Sequence, residues 1–205
     1  MRGWLKAAMV GVVVMGATAC SPPLRGVSGL SVDADGHPII VMAWCDGAAP
    51  DAIYVYHDEI APLSGTPNSA TSGDPSATPS VDPPTRSVDD AKFTAPDLQG
   101  QNASVRLDAP ADGWTVEPQP LVLKPGVTYI ALASHGRGAD IVNLLQVGFT
   151  AVQAAHLTPG QVLFQGWGEP PSEGPMASAA WLDPLSDKVI SREEFNRKIQ
   201  ESRYC

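Results

Sequence analysis

A mainly β fold, an antiparallel β-sandwich with a short C-terminal helix, is predicted by three features of the sequence. Short apolar segments rich in Val, Ile, Leu, Tyr and Phe recur along the chain. Glycine and proline turns separate them, for example at residues 124–127 and 158–161. No long helical pattern lies between these segments. About seven short strands with such turns are typical of immunoglobulin-like or fibronectin-like sandwiches.

The strands follow one another in a regular order. Residues 29–44 contain the first two, on either side of Asp35-Gly36, a dipeptide that is common in hairpin turns. Residues 52–57 give the third. Four more are predicted in segments of alternating or apolar character: residues 103–108, 127–135, 144–150 and 160–166.

Two helical pieces complete the prediction. Residues 191–205 begin with Ser191 and Glu194 at the capping-box spacing. Phe195, Ile199 and Tyr204 form only a narrow apolar face, so we expect this helix to rest on the sheet and to be too weak to stand alone. Residues 150–157 predict one short helical turn between strands.

A tract at residues 61–90 is unlike the rest, because 16 of its 30 residues are Pro, Ser or Thr. Such a composition cannot form a core, and it predicts a disordered excursion that could accept O-linked sugars. The preceding residues 27–60 are too few to fold alone. We therefore predict one domain over residues 27–205, interrupted by this loop.

The N-terminal residues 1–19 have the layout of a secretory signal. Arg2 and Lys6 precede an apolar run that ends in small residues. The run is shorter than the roughly 20 apolar residues that a membrane-spanning helix needs.

The sequence Ala17-Thr18-Ala19-Cys20 at the end of this signal resembles the lipobox of bacterial lipoproteins. The resemblance implies that Cys20 becomes the lipidated first residue of the mature chain and that residues 20–26 form a short tether. The lipobox prefers Leu at the position of Ala17, so a plain secretory signal stays open as the alternative. The composition, with Arg exceeding Lys and abundant Ala, Gly, Pro and Asp, is similar to that of actinobacterial lipoproteins of unassigned function.

Such a lipoprotein would be exported and anchored by lipid to the outer face of the bacterial cell membrane. Removal of the signal leaves 11 Lys and Arg against 22 Asp and Glu, a net charge of −11. This excess of acidic residues argues against nucleic acid as a partner and against a basic patch on anionic lipid. The predicted partners are the membrane, through the anchor, and an envelope protein or glycan.

The cysteine count predicts one disulfide. With Cys20 lipidated, Cys45 and Cys205 remain as an even pair in an oxidising compartment. A bridge between them would close nearly the whole domain.

The sequence gives little support for catalysis and none for a cofactor. Ser134-His135 lacks the G-x-S-x-G context of a nucleophile elbow and is better explained as a polar strand end. Asp33 and Asp35 would need a carboxylate at position 44, which holds Trp44, to complete a calcium loop. The adjacent residues 57–59, His-Asp-Glu, lack the spacing of zinc ligands. We predict no metal site.

Two classes of function stay open. The first is a non-catalytic binding or accessory module of the cell envelope; the alternative is an exported enzyme whose site forms no linear motif. A concave site with converging His and carboxylate groups of shifted pKa would favour the enzyme. Exposed aromatic side chains from among Trp114, Trp167 and Trp181 would favour binding.

Overall fold

The structure is a computed structural model, and it describes residues 22–60, 85–166, 186–200 and 205. These residues form eleven strands, two α-helices and one turn of 3-10 helix at Gly138–Asp140. The strands are β1 (Leu24–Val32), β2 (Pro38–Trp44), β3 (Ala52–Ile60), β4 (Thr85–Thr94), β5 (Asn102–Arg106), β6 (Thr115–Glu117), β7 (Thr128–His135), β8 (Val142–Leu145), β9 (Val147–Thr150), β10 (Gln161–Gly166) and β11 (Ser186–Ser191). The helices are α1 (Ala151–His156) and α2 (Arg192–Gln200).

All eleven strands belong to one curled sheet that branches at β1 and β7. On one side β1 pairs with β2, and on the other it pairs first with β8 and then with β10. Likewise β7 pairs with β3 on one side and with β8 and β9 on the other. The β1–β8 pairing is parallel, whereas the other pairings are antiparallel.

The predicted fold class is therefore confirmed in its coarse form, a mainly β chain with a short C-terminal helix. The two-sheet sandwich is not confirmed, and the prediction of a purely antiparallel arrangement is wrong. The departure begins at Gln146, which divides the segment predicted as one strand, residues 144–150, into β8 and β9. This break lets β8 lie beside β1, a pairing between residues far apart in sequence that no local pattern encodes.

The first hairpin forms as its sequence predicts. The Asp33 side chain accepts hydrogen bonds from the backbone N–H groups of Asp35, at 3.0 Å, and His37, at 2.9 Å. Gly36 takes a φ of 84°, which favours glycine. The turn places Val32 opposite Pro38, so the register of β1 and β2 follows from it.

Alternate residues of the same strands enter two different apolar clusters, because successive side chains in a strand point to opposite faces. The inner cluster lies inside the curl, and its largest members are Trp44, Tyr129, Phe93, Phe149, Leu30, Ile40, Met42, Ile53, Leu107 and Leu144. The outer cluster lies under α2 and contains Val27, Val41, Ala43, Leu145, Val162, Phe164 and Phe195.

Helix α2 packs onto the outer face through a single fully buried aromatic side chain. The ring of Phe195 lies edge-on to Phe164, with centroids 5.8 Å apart. A Cβ at Gly29 would come within 3.3 Å of the Phe195 ring and 2.5 Å of Val162, so glycine makes room for the helix. The predicted narrow face is thus confirmed at Phe195; the side chains of Ile199 and Tyr204 lie outside the described ones.

Both helix starts are capped by side chains, and the cap at Ser191 was predicted. The Ser191 hydroxyl accepts a hydrogen bond from the backbone N–H of Glu194 at 3.1 Å. At α1, Thr150 and Gln153 form a complete capping box. The short helical turn predicted for residues 150–157 is therefore confirmed.

Two sequence-based boundaries need correction, and three strands were not predicted. The predicted disordered tract, residues 61–90, is wrong at its end, because residues 85–90 belong to β4; residues 61–84 lie outside the described residues. The tether predicted at residues 20–26 overlaps β1, which begins at Leu24. The predicted strands all form, but β4, β6 and β11 are additional.

Candidate functional site

The predicted disulfide is present. Cys45, buried at the end of β2, is bonded to Cys205, with Cα atoms 5.4 Å apart. This separation lies within the range that a disulfide spans. Cys20 and the signal segment at residues 1–19 lie outside the described residues, so the lipid attachment stays a prediction.

The polar clusters noted in the sequence have structural roles in the fold. Asp33 organises the first hairpin turn, and the hydrogen bond that its carboxylate accepts from the backbone N–H of His37 holds the pKa of this carboxyl below the usual value. The carbonyl of Ser134 accepts a hydrogen bond from Asp51 N, and the neighbouring His135 lies 3.4 Å from the Asp51 carboxylate. Within the described part of the chain, no three His, Cys, Asp or Glu side chains are placed to hold a metal ion.

The strongest candidate site is an open cleft of about 410 Å³ between the end of β3 and the start of β7. Pairing of β3 with β7 ends at His57 and Tyr129, whereas pairing of β3 with β4 continues to Ile60 and Thr85. Residues 58–60 and 85–87 thus form a hairpin arm that extends past β7. The cleft lies beside this arm and is lined by His57, Asp58, Glu59, Gly126, Val127, Thr128 and Ile130.

A β-bulge places the most important carboxylate of the site. Val55 pairs with Ala91, but the next residue, Tyr56, pairs with Asp89, so Asp90 is the extra residue of β4. Such bulges redirect a side chain and are common near functional sites. Here the Asp90 carboxylate reaches His57 Nδ1 at 2.6 Å, and the side chains are only 11% and 12% exposed.

The other ring nitrogen of His57 faces a second carboxylate. His57 Nε2 lies 3.4 Å from Glu59 Oε1, and the second Glu59 oxygen lies 3.6 Å from Arg86. Below the imidazole, the Tyr129 ring is edge-on at 5.9 Å. The hydrogen bond to Asp90 raises the pKa of His57; burial opposes this shift, and the charges of Asp90 and Glu59 add to it.

This geometry favours an imidazolium with both N–H groups engaged. A general base needs a free lone pair on a ring nitrogen that faces its substrate. In this site Nε2 becomes available for that role only when Glu59 moves away. The one hydroxyl of the hairpin arm in contact with a carboxylate, that of Ser87, donates to Asp58 at 2.6 Å.

Sequence reasoning missed this site, because it tested residues 57–59 only as zinc ligands and rejected them for their adjacent positions. The alternation of Ile53, Val55 and His57 places the imidazole on the inner side of β3, and this was the available signal. Its partner Asp90 could not be identified, because it was part of the predicted disordered tract. A bulge also leaves no mark in local periodicity.

The aromatic side chains proposed for ligand contact are not exposed where the structure describes them. Trp114 is 7% exposed and belongs to the inner cluster. Trp167 and Trp181 lie outside the described residues. An exposed aromatic ring is found at Tyr54, with Lys92 Nζ 5.9 Å from its centroid, on the opposite face of β3 from Ile53 and Val55.

The chain matches no protein-family model, no curated protein and no solved structure. Neither helix in the described ranges, residues 22–60, 85–166 and 186–200, is long and apolar enough to cross a membrane.

Proposed function

We propose that the protein is a lipid-anchored module of the bacterial cell envelope that binds a ligand without catalysis. Cys20 carries the lipid, and the β domain stands on the outer face of the membrane. The lipobox-like residues 17–20 support the anchor, and the mature net charge of −11 supports a partner other than nucleic acid.

The binding role is supported by one observation, the cleft beside His57. It combines apolar lining from Val127 and Ile130 with the carboxylates of Asp58 and Glu59, the mixture typical of ligand sites. The carboxylates accept hydrogen bonds only, so the cleft suits a ligand that presents donors, on an envelope protein or glycan.

An exported enzyme is the second candidate, and the His57–Asp90 pair favours it. An imidazole held at 2.6 Å by a carboxylate that is mostly shielded from solvent, beside an open cleft, meets the criterion of converging His and carboxylate groups with a shifted pKa. Binding ranks first because Glu59 occupies the remaining ring nitrogen. A substrate that displaces Glu59 and exchanges a proton with Nε2 would reverse this ranking.

Membrane attachment is tested with Cys20→Ala. The variant should leave the membrane fraction or accumulate as an unprocessed precursor, because the acyl chains supply the anchor. Mass spectrometry of the wild-type protein should find lipid on Cys20 as the first residue. An unmodified N-terminus downstream of Cys20 would contradict the anchor.

Ligand binding is tested by comparing variants in parallel captures from the native envelope. We expect Glu59→Gln to lose the molecules that the wild type retains, and Asp35→Asn, on the β1–β2 turn, to retain them. Equal retention by the two variants would show that the cleft is not the binding site.

A further inference from the structure

We propose that His57 is a proton-operated latch of the hairpin arm: its imidazolium ties Glu59 to Asp90, and loss of the proton releases Glu59 and opens the cleft. The inference concerns regulation of the same cleft and rests on the proposed function for its biological use. The latch itself is a property of the free protein.

The number of hydrogen-bond donors on the His57 ring depends on its protonation. Imidazolium has two N–H groups, and the two carboxylates face one each. Neutral imidazole has one N–H group, so one of the carboxylates then faces a nitrogen lone pair. Two like charges would lie at the ring without a cation between them, which destabilises the closed arrangement.

The two contacts differ in strength, and this difference determines which one opens. The Asp90 contact is 2.6 Å long and mostly shielded from solvent, whereas the Glu59 contact is 3.4 Å long and Glu59 is 52% exposed. The remaining proton therefore stays on Nδ1 with Asp90. Glu59, which water can solvate at once, is the partner that leaves.

The other groups around His57 leave this assignment unchanged. On β4, Arg86 contacts Glu59 at 3.6 Å and moves with the hairpin arm. On β3, Asp58 is held by the Ser87 hydroxyl across the same arm. From β7, the Tyr129 ring faces the imidazole edge-on, and its hydroxyl accepts a hydrogen bond from Lys124 N. Release of Glu59 therefore removes the side-chain contact between the arm and His57 at its base, where the pairing of β3 with β7 ends.

The donor count fixes the direction of the response, and the raised pKa of His57 moves its midpoint to a pH above that of an ordinary histidine. At a pH below this pKa the latch is closed and Glu59 covers Nε2. At a pH above it the latch opens, and a ligand can reach both Glu59 and Nε2.

The test is NMR on the full processed protein between pH 5 and pH 9. Ring ¹⁵N shifts give the titration of His57, and amide exchange, corrected for its intrinsic pH dependence, gives the protection of the hairpin arm. Arm protection should fall about two- to fivefold, the factor that an exposed ion pair contributes, with the midpoint of the His57 titration. Amides of Ile53 and Val55 should keep their protection.

Two variants make the test decisive. Glu59→Gln alters an exposed side chain, so it should fold; His57 should still titrate, but arm protection should no longer change with it. His37→Gln, which removes a histidine 3.0 Å from Asp108, should behave as the wild type. Constant arm protection across the His57 titration, or an unchanged transition in Glu59→Gln, would overturn the latch.

The outcome also separates the latch from the proposed function. An arm that responds to pH while Glu59→Gln still retains every captured molecule leaves the latch in place and contradicts binding at the cleft. An arm that does not respond while Glu59→Gln loses the captured molecules leaves binding in place and contradicts the latch.

Discussion

The region under α2 and the region around the hairpin arm both have strands whose side chains alternate between two faces. Under α2 the alternate positions are mostly apolar, whereas at the arm they include titratable groups. Under α2, both faces of β1, β2 and β10 are covered, so alternate residues enter the inner and outer clusters, and the buried polar side chains there, Ser28 and Ser31, are uncharged. At the arm, β3 and β4 leave the covered part of the sheet, and the inner-facing positions change from Val55 to His57 and Glu59.

The contrast between these two regions indicates where this fold can hold a polar site. A charge among residues buried on both faces has no solvent and few partners, which makes it costly. Where the sheet ends, water and neighbouring strands can both satisfy it. The α2 side is therefore built for stability, and the arm is the place where titratable groups can converge.

Phe195→Ala should have the largest effect on the free energy of unfolding, because among the described side chains of α2 Phe195 is the one that is fully buried in the outer cluster. Loss of a buried Phe costs about 3–5 kcal/mol. Urea unfolding measures the change. Val189→Ala, on a neighbouring strand and 51% exposed, serves as the control and should cost much less. A small loss for Phe195→Ala would mean that α2 contributes little to the stability of this side.

Loss of the disulfide should have the second-largest effect on the free energy of unfolding. Cys205→Ser opens a loop of 160 residues, and removal of a native disulfide from a small secreted domain typically costs about 2–5 kcal/mol. Helix α2 should lose protection first, since this bond ties the chain that follows it to the end of β2. Hydrogen exchange by mass spectrometry would show it. Simultaneous loss in α2 and in β3 would contradict the separation of the two regions.

Replacement of residues 61–84 by Asn-Gly should stabilise the arm. Ile60 and Thr85 are directly paired, and Asn-Gly forms the two-residue turn that such a pair accepts. The composition predicts a flexible loop, and shortening it from 24 residues to two lowers the closure cost by roughly 2 kcal/mol. Thermal unfolding measures the gain. A variant that instead lacks residues 62–87 should be less stable than the Asn-Gly variant, because it loses the start of β4. Equal stability of the two variants would contradict the register of β3 and β4.

Asp90→Asn should have the smallest effect on the free energy of unfolding, and the size of this effect should depend on pH. Because Asp90 raises the pKa of His57, the pair contributes stability that is fully present below about pH 6.5 and is lost as pH rises through the folded pKa. The stability difference between the wild type and Asp90→Asn should therefore shrink with rising pH. Urea midpoints from pH 5.5 to 8.5 test this, with exposed Asp97→Asn as the control. A difference that grows with pH would contradict the pairing.

Sequence reasoning succeeded where a feature depends on neighbouring residues. Asp35-Gly36 predicted the first hairpin, Ser191 predicted the start of α2, and the cysteine count predicted the pair of Cys45 and Cys205. It failed where a feature depends on distant pairing. Residues 85–90 of the polar strand β4 were predicted to be disordered because the order comes from pairing with β3, and Asp90 gains its role only through a bulge in that pairing.

The parallel pairing of β1 with β8 affects how the chain can fold as it is made. β1 and β2 can form a hairpin early, but the other edge of β1 has no partner until residues 142–163 have been added. Closing the sheet then requires a contact between Leu24 and Asn143, and contacts of such sequence separation slow folding. Until β8 and β10 pair with it, β1 has an open edge that can form non-native pairings with other strands. The first strand of the domain is thus among the last to be completed.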